Sequence, residues 1–217
     1  MSADPGYEIL SIDDLEELPS SAGTQVMLPL RRRVGFEPFG INAWLGRNPG
    51  DHVIERHREA GGPEELYVVV RGRAQFTLGD ETFEAPVGTI VHAPPGTLRE
   101  ATALDAGTIA LAMGAKIGEA FTPAPWEDFA VAFAHLRAGD EPRGRAAMNE
   151  ALTRDPEAWE GAYNAACFEA LAGNREAALE QFRRAVAGGG DVVRTAAETD
   201  PDFDSIRDDP LFREALA

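Results

Sequence analysis

The 217-residue sequence contains one cysteine, Cys167, and one lysine, Lys116. A single cysteine excludes an intrachain disulfide and fits a reducing compartment. With one lysine and no glycine-rich loop leading to it, a phosphate cradle of the P-loop type is absent. No Gly-x-Ser-x-Gly elbow is present to place a nucleophilic serine. No run approaches the roughly 18 apolar residues of a membrane span, and residues 1–8 lack the positive charge and apolar core of a signal peptide. Positive charge is scarce: 20 Lys+Arg face 37 Asp+Glu, a formal charge of −17. Such a surface repels phosphate backbones, and the one dense basic run, Arg31-Arg32-Arg33, reads as salt-bridge partners for acidic surroundings. The expectation is a cytoplasmic protein with neither nucleic-acid nor membrane partners. With 44% hydrophobic and 26% charged residues, the chain has the composition of ordinary globular proteins.

Composition changes near Phe121-Thr122-Pro123-Ala124-Pro125, where two prolines in three residues disfavour regular structure. Charge does not distinguish the halves: residues 1–124 carry 10 basic and 18 acidic side chains, and residues 125–217 carry 10 and 19. The first half reads as short antiparallel strands at 41–45, 53–57, 65–71, 74–78, 81–85, 89–93, 98–103 and 108–112. Gly or Pro separates them at the 8–12-residue spacing of a sandwich or barrel. Residues 1–25 are acidic and weakly periodic, consistent with an edge strand and a frayed tail. The second half is rich in Ala, Leu, Glu and Arg and repeats itself. A shift of 34 places Gly139 on Gly173, Phe129 on Tyr163, Ala132 on Ala166, Met148 on Phe182 and Ala151 on Ala185. That period is the signature of tetratricopeptide helix–turn–helix units. Tyr163, Ala166, Cys167, Ala170 and Leu171 follow the spacing of one buried helix face. After Gly188-Gly189-Gly190 the period is lost, and Asp200-Pro201 and Asp209-Pro210 read as N-caps of terminal capping helices.

Glu65-Leu-Tyr-Val-Val-Val-Arg-Gly72, followed by Gly88-Thr-Ile-Val-His-Ala-Pro94-Pro-Gly96, resembles the two motifs of the cupin superfamily. Glu65 and Gly72 keep the first motif's spacing; Gly88, Pro94 and Gly96 keep the second's. The resemblance covers roughly residues 40–115. It implies a double-stranded β-helix, or jelly-roll, barrel, and the expected fold class is α+β in two parts. A cupin barrel spans 1–121, with its core at 40–115, and a tetratricopeptide-like helical array with capping helices spans 126–217.

By the same resemblance, cupin metal sites use two histidines and a glutamate of the first motif and a histidine of the second. Imidazole and carboxylate ligands of that kind suit Mn, Fe, Ni or Zn. Here His57 matches the first histidine, Glu59 stands where its partner would be, and the second-motif histidine falls on Arg99. A guanidinium has no lone pair to donate and repels a divalent cation. Among His57, Glu59 and Glu65 it is expected to occupy the cation's place and pair with a carboxylate. Tyr67 shares the Glu65 face of its strand, whereas alternation sends Glu64 to the opposite face. His92, on the strand before Arg99, is the candidate substitute ligand from the lumen. The candidate pocket is therefore His57, Glu59, Glu65, Tyr67, His92 and Arg99. A metal set, where one exists, is His57, Glu59, Glu65 and His92. No catalytic residue and no cofactor are assigned. Cys167 reads as an inert buried thiol, and His135 and His52 as surface residues.

Three functions follow. The first is a non-catalytic ligand-binding or interaction protein with a degenerate cupin site. The second is a metal-dependent cupin enzyme, such as a small dioxygenase or isomerase. The third is a structural dimerisation module. The first is favoured on Arg99. The resemblance, and the liability of unpaired sheet edges, imply a homodimer through the cupin part, and the helical repeats imply a protein partner.

Overall fold

The computed structural model describes residues 8–20, 23–59, 62–123 and 125–217, and the chain divides into two compact units, Met1–Pro123 and Ala124–Ala217. Residues 1–7 and 21–22, within the stretch 1–25 expected to hold an edge strand and a frayed tail, and Ala124 of the linker lie outside the described residues.

All eight strands read from the sequence are present in the first unit. They are β3 (Gly40–Gly46), β4 (His52–His57), β5 (Glu64–Arg71), β6 (Arg73–Leu78), β7 (Glu81–Pro86), β8 (Ile90–Ala93), β9 (Arg99–Ala103) and β10 (Thr108–Ala115). Two short strands, β1 (Leu18–Pro19) and β2 (Val26–Leu28), and a brief helix, α1 (Leu30–Val34), precede them. Every pairing is antiparallel. One sheet runs β1-β2-β3-β10-β5-β8 and the other β4-β9-β6-β7.

Period-two alternation explains the packing. In β6, Ala74 and Phe76 are buried while Gln75 faces solvent; in β8, Val91 and Ala93 are buried while Ile90 and His92 are exposed. The inward residues of both sheets, among them Val53, Tyr67, Val69, Phe76, Val91 and Ala101, share one core. A closed barrel was expected, but among the described residues no ladder joins the two sheets. They meet through side chains, because large residues such as Tyr67 and Phe76 fill the space between them and hold the two backbones apart. The N-terminal segment adds a second core, in which Leu15, Val26 and Leu28 cover Ala43, Leu45 and Ile109 of β3 and β10.

Gly72, from the first motif, has φ +66°, and a Cβ there would lie 2.5 Å from Thr108 Oγ1. That hydroxyl shares its one hydrogen between the carbonyls of Asp105 and Arg73, at 2.7 and 2.9 Å, which holds it in place. Only glycine fits, which gives this motif position a physical reason.

The second unit contains α2 (Pro125–Arg137), α3 (Glu141–Arg154), α4 (Trp159–Leu171), α5 (Arg175–Gly189), α6 (Asp191–Thr199) and α7 (Pro210–Leu216), with a 3-10 turn at Pro201–Phe203. The turns α2–α3 and α4–α5 repeat each other bond for bond. Asp140 N donates to His135 O and Asn174 N to Glu169 O; Gly139 N donates to Leu136 O and Gly173 N to Ala170 O. Gly139 and Gly173 sit at φ +80° and +79°, the left-handed stop that ends each first helix. The 34-residue shift is thus a structural period. Asp200 and Asp209 cap as expected, accepting from Asp202 N and Leu211 N.

Two sequence expectations are corrected. Leu171 is exposed, because it ends α4 beyond the helix's contacts, while the buried surface of α4 includes Ala162, Ala165 and Phe168. His135 is buried, not exposed. Gly188 and Gly189 form the last residues of α5. A Cβ on Gly188 would lie 2.8 Å from Trp159 Cβ, and one on Gly189 2.7 Å from the Trp159 ring and 2.6 Å from Val193. The glycines are the floor on which Trp159 rests.

A mid-helix Gly→Ala change ordinarily stabilises by about 1 kcal/mol. At Gly189 the overpacking penalty, about 1–3 kcal/mol, reverses the sign. Gly189→Ala is expected to lower the melting temperature of the full chain in a calorimetric scan.

Candidate functional site

Registry places the candidate residues. β4 pairs with β9 so that His57 lies opposite Arg99, and β5 carries Glu65 and Tyr67 on one face, two residues apart. Irregular pairing along β4 turns its C-terminal end, so that His57 meets residues of the other sheet.

Arg99 is the base of the group. Its side chain is 0% exposed, and Nη2 lies 2.6 Å from Glu65 Oε2. Nη1 donates to the Thr97 carbonyl at 2.7 Å and Nε to the Tyr67 hydroxyl at 3.3 Å. The Tyr67 hydroxyl in turn donates to Glu65 Oε2 at 2.5 Å. Glu65, 16% exposed, therefore receives a phenol hydrogen bond and faces a guanidinium as an ion pair on one oxygen. Above it stand His57 and Glu59, each 35% exposed, with His57 Nε2 3.7 Å from Glu65 Oε2 and 3.8 Å from Glu59 Oε1. His57 Nδ1 is 2.7 Å from the Glu55 carbonyl. A carbonyl only accepts, so Nδ1 carries a proton and Nε2 is the nitrogen turned toward the carboxylates.

The titration behaviour follows. Burial alone would raise the Glu65 carboxyl, but His57, Tyr67 and Arg99 together outweigh it and hold the group below the usual carboxylate range. The facing Glu65 carboxylate raises His57 against the opposing effect of burial. Burial, then the Glu65 charge, push the Tyr67 phenol far up, so it remains a proton donor. Burial opposes the charge on Arg99, yet Tyr67 and Glu65 keep it firmly cationic.

His57, Glu59, Glu65, Tyr67 and Arg99 are thus brought together, and His92 is not. His92 alternates to the outer face, where its Nε2 lies 2.5 Å from Glu64 Oε1. The cause is register: Ala93 sits opposite Glu65 and takes the inward position, so His92 must point outward with Leu66. The second-motif alternation Ile90-Val91-His92-Ala93 carries that signal. The part played by the Glu55 and Thr97 carbonyls leaves no sequence signal, because backbone groups are common to all residues. His52 pairs with Glu100 at 3.0 Å, away from the site.

Among the described residues a second group brings Cys167 near Asp200 and Asp202. Asp200 accepts from the Tyr163 hydroxyl at 2.7 Å and caps the 3-10 turn, and burial pushes the Cys167 thiol up, leaving it protonated. These contacts are structural.

No family model and no curated protein matches the sequence. Solved cupin structures are similar to part of it. A cupin-superfamily sugar phosphate isomerase from Silicibacter pomeroyi is 19% identical over 50% of this chain and 75% of its own, with a TM-score of 0.43. A predicted oxalate decarboxylase from Thermotoga maritima is 14% identical over 51% of this chain and all of its own, at 0.41. An RmlC-like cupin from Shewanella frigidimarina is 12% identical over 55% and 97%, at 0.39. At these scores the likeness carries no argument about chemistry. Among the described residues no helix is long and apolar enough to cross a membrane.

Removing one partner of a buried ion pair costs about 3–5 kcal/mol. Arg99→Ala is expected to destabilise the chain by that order in urea unfolding. A melt equal to wild type contradicts the role given to Arg99. The pH dependence has two limbs. Glu65 is depressed, so its contribution is in place above its ordinary value of 4.5 and is lost as pH falls through its lowered value. His57 is raised, so its contribution is complete below 6.5 and is lost as pH rises through its raised value. Both are present between these two ordinary values. His57→Gln is expected to flatten the alkaline limb of melting temperature against pH and to leave the acid limb.

Proposed function

We propose that the sheet-rich unit is a non-catalytic binding module of cupin type that takes a small polar ligand at the mouth formed by His57, Glu59 and Glu65. The helical unit is read as a tetratricopeptide-like interaction module, and the two together as a sensing or regulatory protein. The observation that carries this reading is Arg99, fully buried and 2.6 Å from Glu65 at the position where the cupin pattern asks for a metal-binding histidine.

The competing reading, a metal-dependent dioxygenase or isomerase, requires a divalent cation among His57, Glu59 and Glu65. The donor set does not fit one. Glu65 Oε2 already receives the Tyr67 hydroxyl and faces a guanidinium, so its electron pairs are engaged. Arg99 adds a permanent positive charge beside the space a cation would need. The core beneath is filled by Tyr67, Phe76 and Val69, which restricts a ligand to the mouth.

Elemental analysis of protein purified without chelator is expected to give far less than one equivalent of transition metal. A stoichiometric metal that disappears in His57→Ala overturns the reading. Arg99→His removes the cation and supplies an imidazole, and is expected to gain zinc affinity that the wild type lacks.

A homodimer through the sheet-rich unit is the assembly we favour. β8 is an edge strand, and Leu66, Val70 and Ile90 form an exposed apolar strip beside it, with Ile90 65% exposed. Light scattering is expected to give twice the chain mass, falling to one chain in Ile90→Glu. A monomer at all concentrations contradicts the dimer.

A further inference from the structure

The sheets of the first unit guard their edges unequally. β1 is two residues long and ends in Pro19, and β7 carries Glu81, Glu84 and Pro86. β4 presents His52 and Arg56, and the His52 N–H is given to Thr24 Oγ1 at 2.9 Å. Short length, charge and proline keep an edge from pairing with another chain. β8, Ile90-Val91-His92-Ala93, contains neither proline nor a carboxylate.

The ladder with β5 shows which backbone groups of β8 face outward. Val69 N donates to the Thr89 carbonyl at 3.1 Å, and the register continues with Tyr67 opposite Val91 and Glu65 opposite Ala93. Alternation turns the N–H and C=O of Val91 and Ala93 toward β5, and those of Ile90 and His92 away from it. Among the described residues no strand pairs with that side, and Ile90 is 65% exposed.

β8 is complementary to itself in one register. An antiparallel β8–β8 pair can centre on Ile90, His92 or Val91. Centred on Ile90, it sets His92 opposite Gly88, whose N–H is already given to the Val69 carbonyl at 2.8 Å. Centred on His92, it sets Ile90 opposite Pro94, which has no N–H. Centred on Val91, it sets Ile90 opposite His92 of the second copy, and each outward N–H and C=O of both residues finds a partner. The row from Val68 to Ile90 then continues into His92 and Leu66 of the second copy, so the two exposed apolar strips join into one face. A chain of net charge −17 repels its own copy, but β8 brings no carboxylate to the seam, and Glu64 beside it is engaged by His92 Nε2 at 2.5 Å.

We propose that two copies of the chain associate by antiparallel pairing of β8 with β8, centred on Val91, which makes one continuous sheet across the dimer. This rests on the homodimer reading above and names its contact. The pairing is isologous, so it closes at two chains.

Proline separates this contact from a packing of the apolar faces. At position 90 it removes an N–H that the single chain turns outward, and it keeps an apolar side chain. Light scattering of the full chain over a concentration series is expected to show a wild-type dimer. In Ile90→Pro the dissociation constant is expected to rise roughly tenfold or more, from the donor lost in each copy, with unchanged circular dichroism. Hydrogen exchange of the wild type, read by NMR, decides the matter where the proline disturbs the fold. The Ile90 and His92 amides are expected to gain protection as the dimer forms, while Val91 and Ala93 are protected throughout. A wild-type dimer whose Ile90 and His92 amides exchange freely, or which persists undiminished in a folded Ile90→Pro, overturns this contact and leaves the homodimer reading standing. Protection of those amides at every concentration places a segment of the same chain on the edge and overturns it as well, as does an assembly that grows past two chains. A wild type that is monomeric at all concentrations overturns both.

Discussion

A guanidinium sealed from water is the constraint around which the sheet-rich unit is arranged. Stripping Arg99 of solvent is costly in a low-dielectric interior, and the cost is offset only if its donors are met. The Tyr67 hydroxyl and the Thr97 carbonyl accept from it, and the Glu65 carboxylate offsets the charge of Nη2, so one side chain ties the two sheets where, among the described residues, no backbone ladder joins them. Replacing such a pair by apolar residues is often neutral for stability in general. What an apolar pair lacks is direction. The fork of Arg99 fixes Glu65, and Glu65 with the Glu55 carbonyl fixes which edge of His57 faces outward.

The same constraint decides the chemistry of the mouth. A cation held covalently at the end of a side chain neither exchanges nor responds to chelators, and it offers no open coordination position. The carboxylate it holds becomes a spent acceptor on one oxygen, and Glu59 and His57 stand outside it at the mouth. On the proposed reading, a ligand there meets a negative rim over a positive base and is recognised by charge and hydrogen bonding, not by ligand-field geometry. The packed core below supplies rigidity, and rigid acceptors discriminate better than mobile ones because less ordering entropy is lost on binding.

Much of this was legible from the residues. All eight strands followed from alternation and from Gly and Pro spacing, and Gly72 is a motif position whose requirement reduces to φ +66° and the proximity of Thr108. The pairing of Arg99 with a carboxylate was likewise visible, because a guanidinium is permanently charged and cannot ligate. The failures have separate physical causes. His92 was counted as a lumen candidate although Val91 and Ala93, as the small apolar neighbours, claim the inward face by alternation. Strand spacing left sandwich and barrel open and the motif resemblance pointed to a barrel, but closure depends on ladder bonds between particular edges, which neither spacing nor motif encodes. His135 and Leu171 exchanged places between surface and interior because a helix packed on more than one side has no single polar face.

The helical unit turns on how a short array ends. Repeats of this kind bury their faces on one another, and three or more are usually needed for stability. Here two hairpins, α2–α3 and α4–α5, repeat the same turn, and the period then stops. The residues after α5 replace the third unit with aromatic mass. Phe203 packs edge-on and Phe212 tilted against Phe182 of α5, at 5.3 and 4.5 Å between ring centroids, and Tyr163 of α4 meets Phe203 edge-on at 5.5 Å. Asp200 secures the same corner by capping the turn that carries Phe203 while accepting the Tyr163 hydroxyl. Arg207 adds bonds to the carbonyls of Ala197, Glu198 and Asp200, which closes the end of α6. Each aromatic buries more apolar area than the alanines that line the α4–α5 contact. A cap built of two short elements can therefore replace a full hairpin, and it does so at the end where the next repeat would otherwise stack.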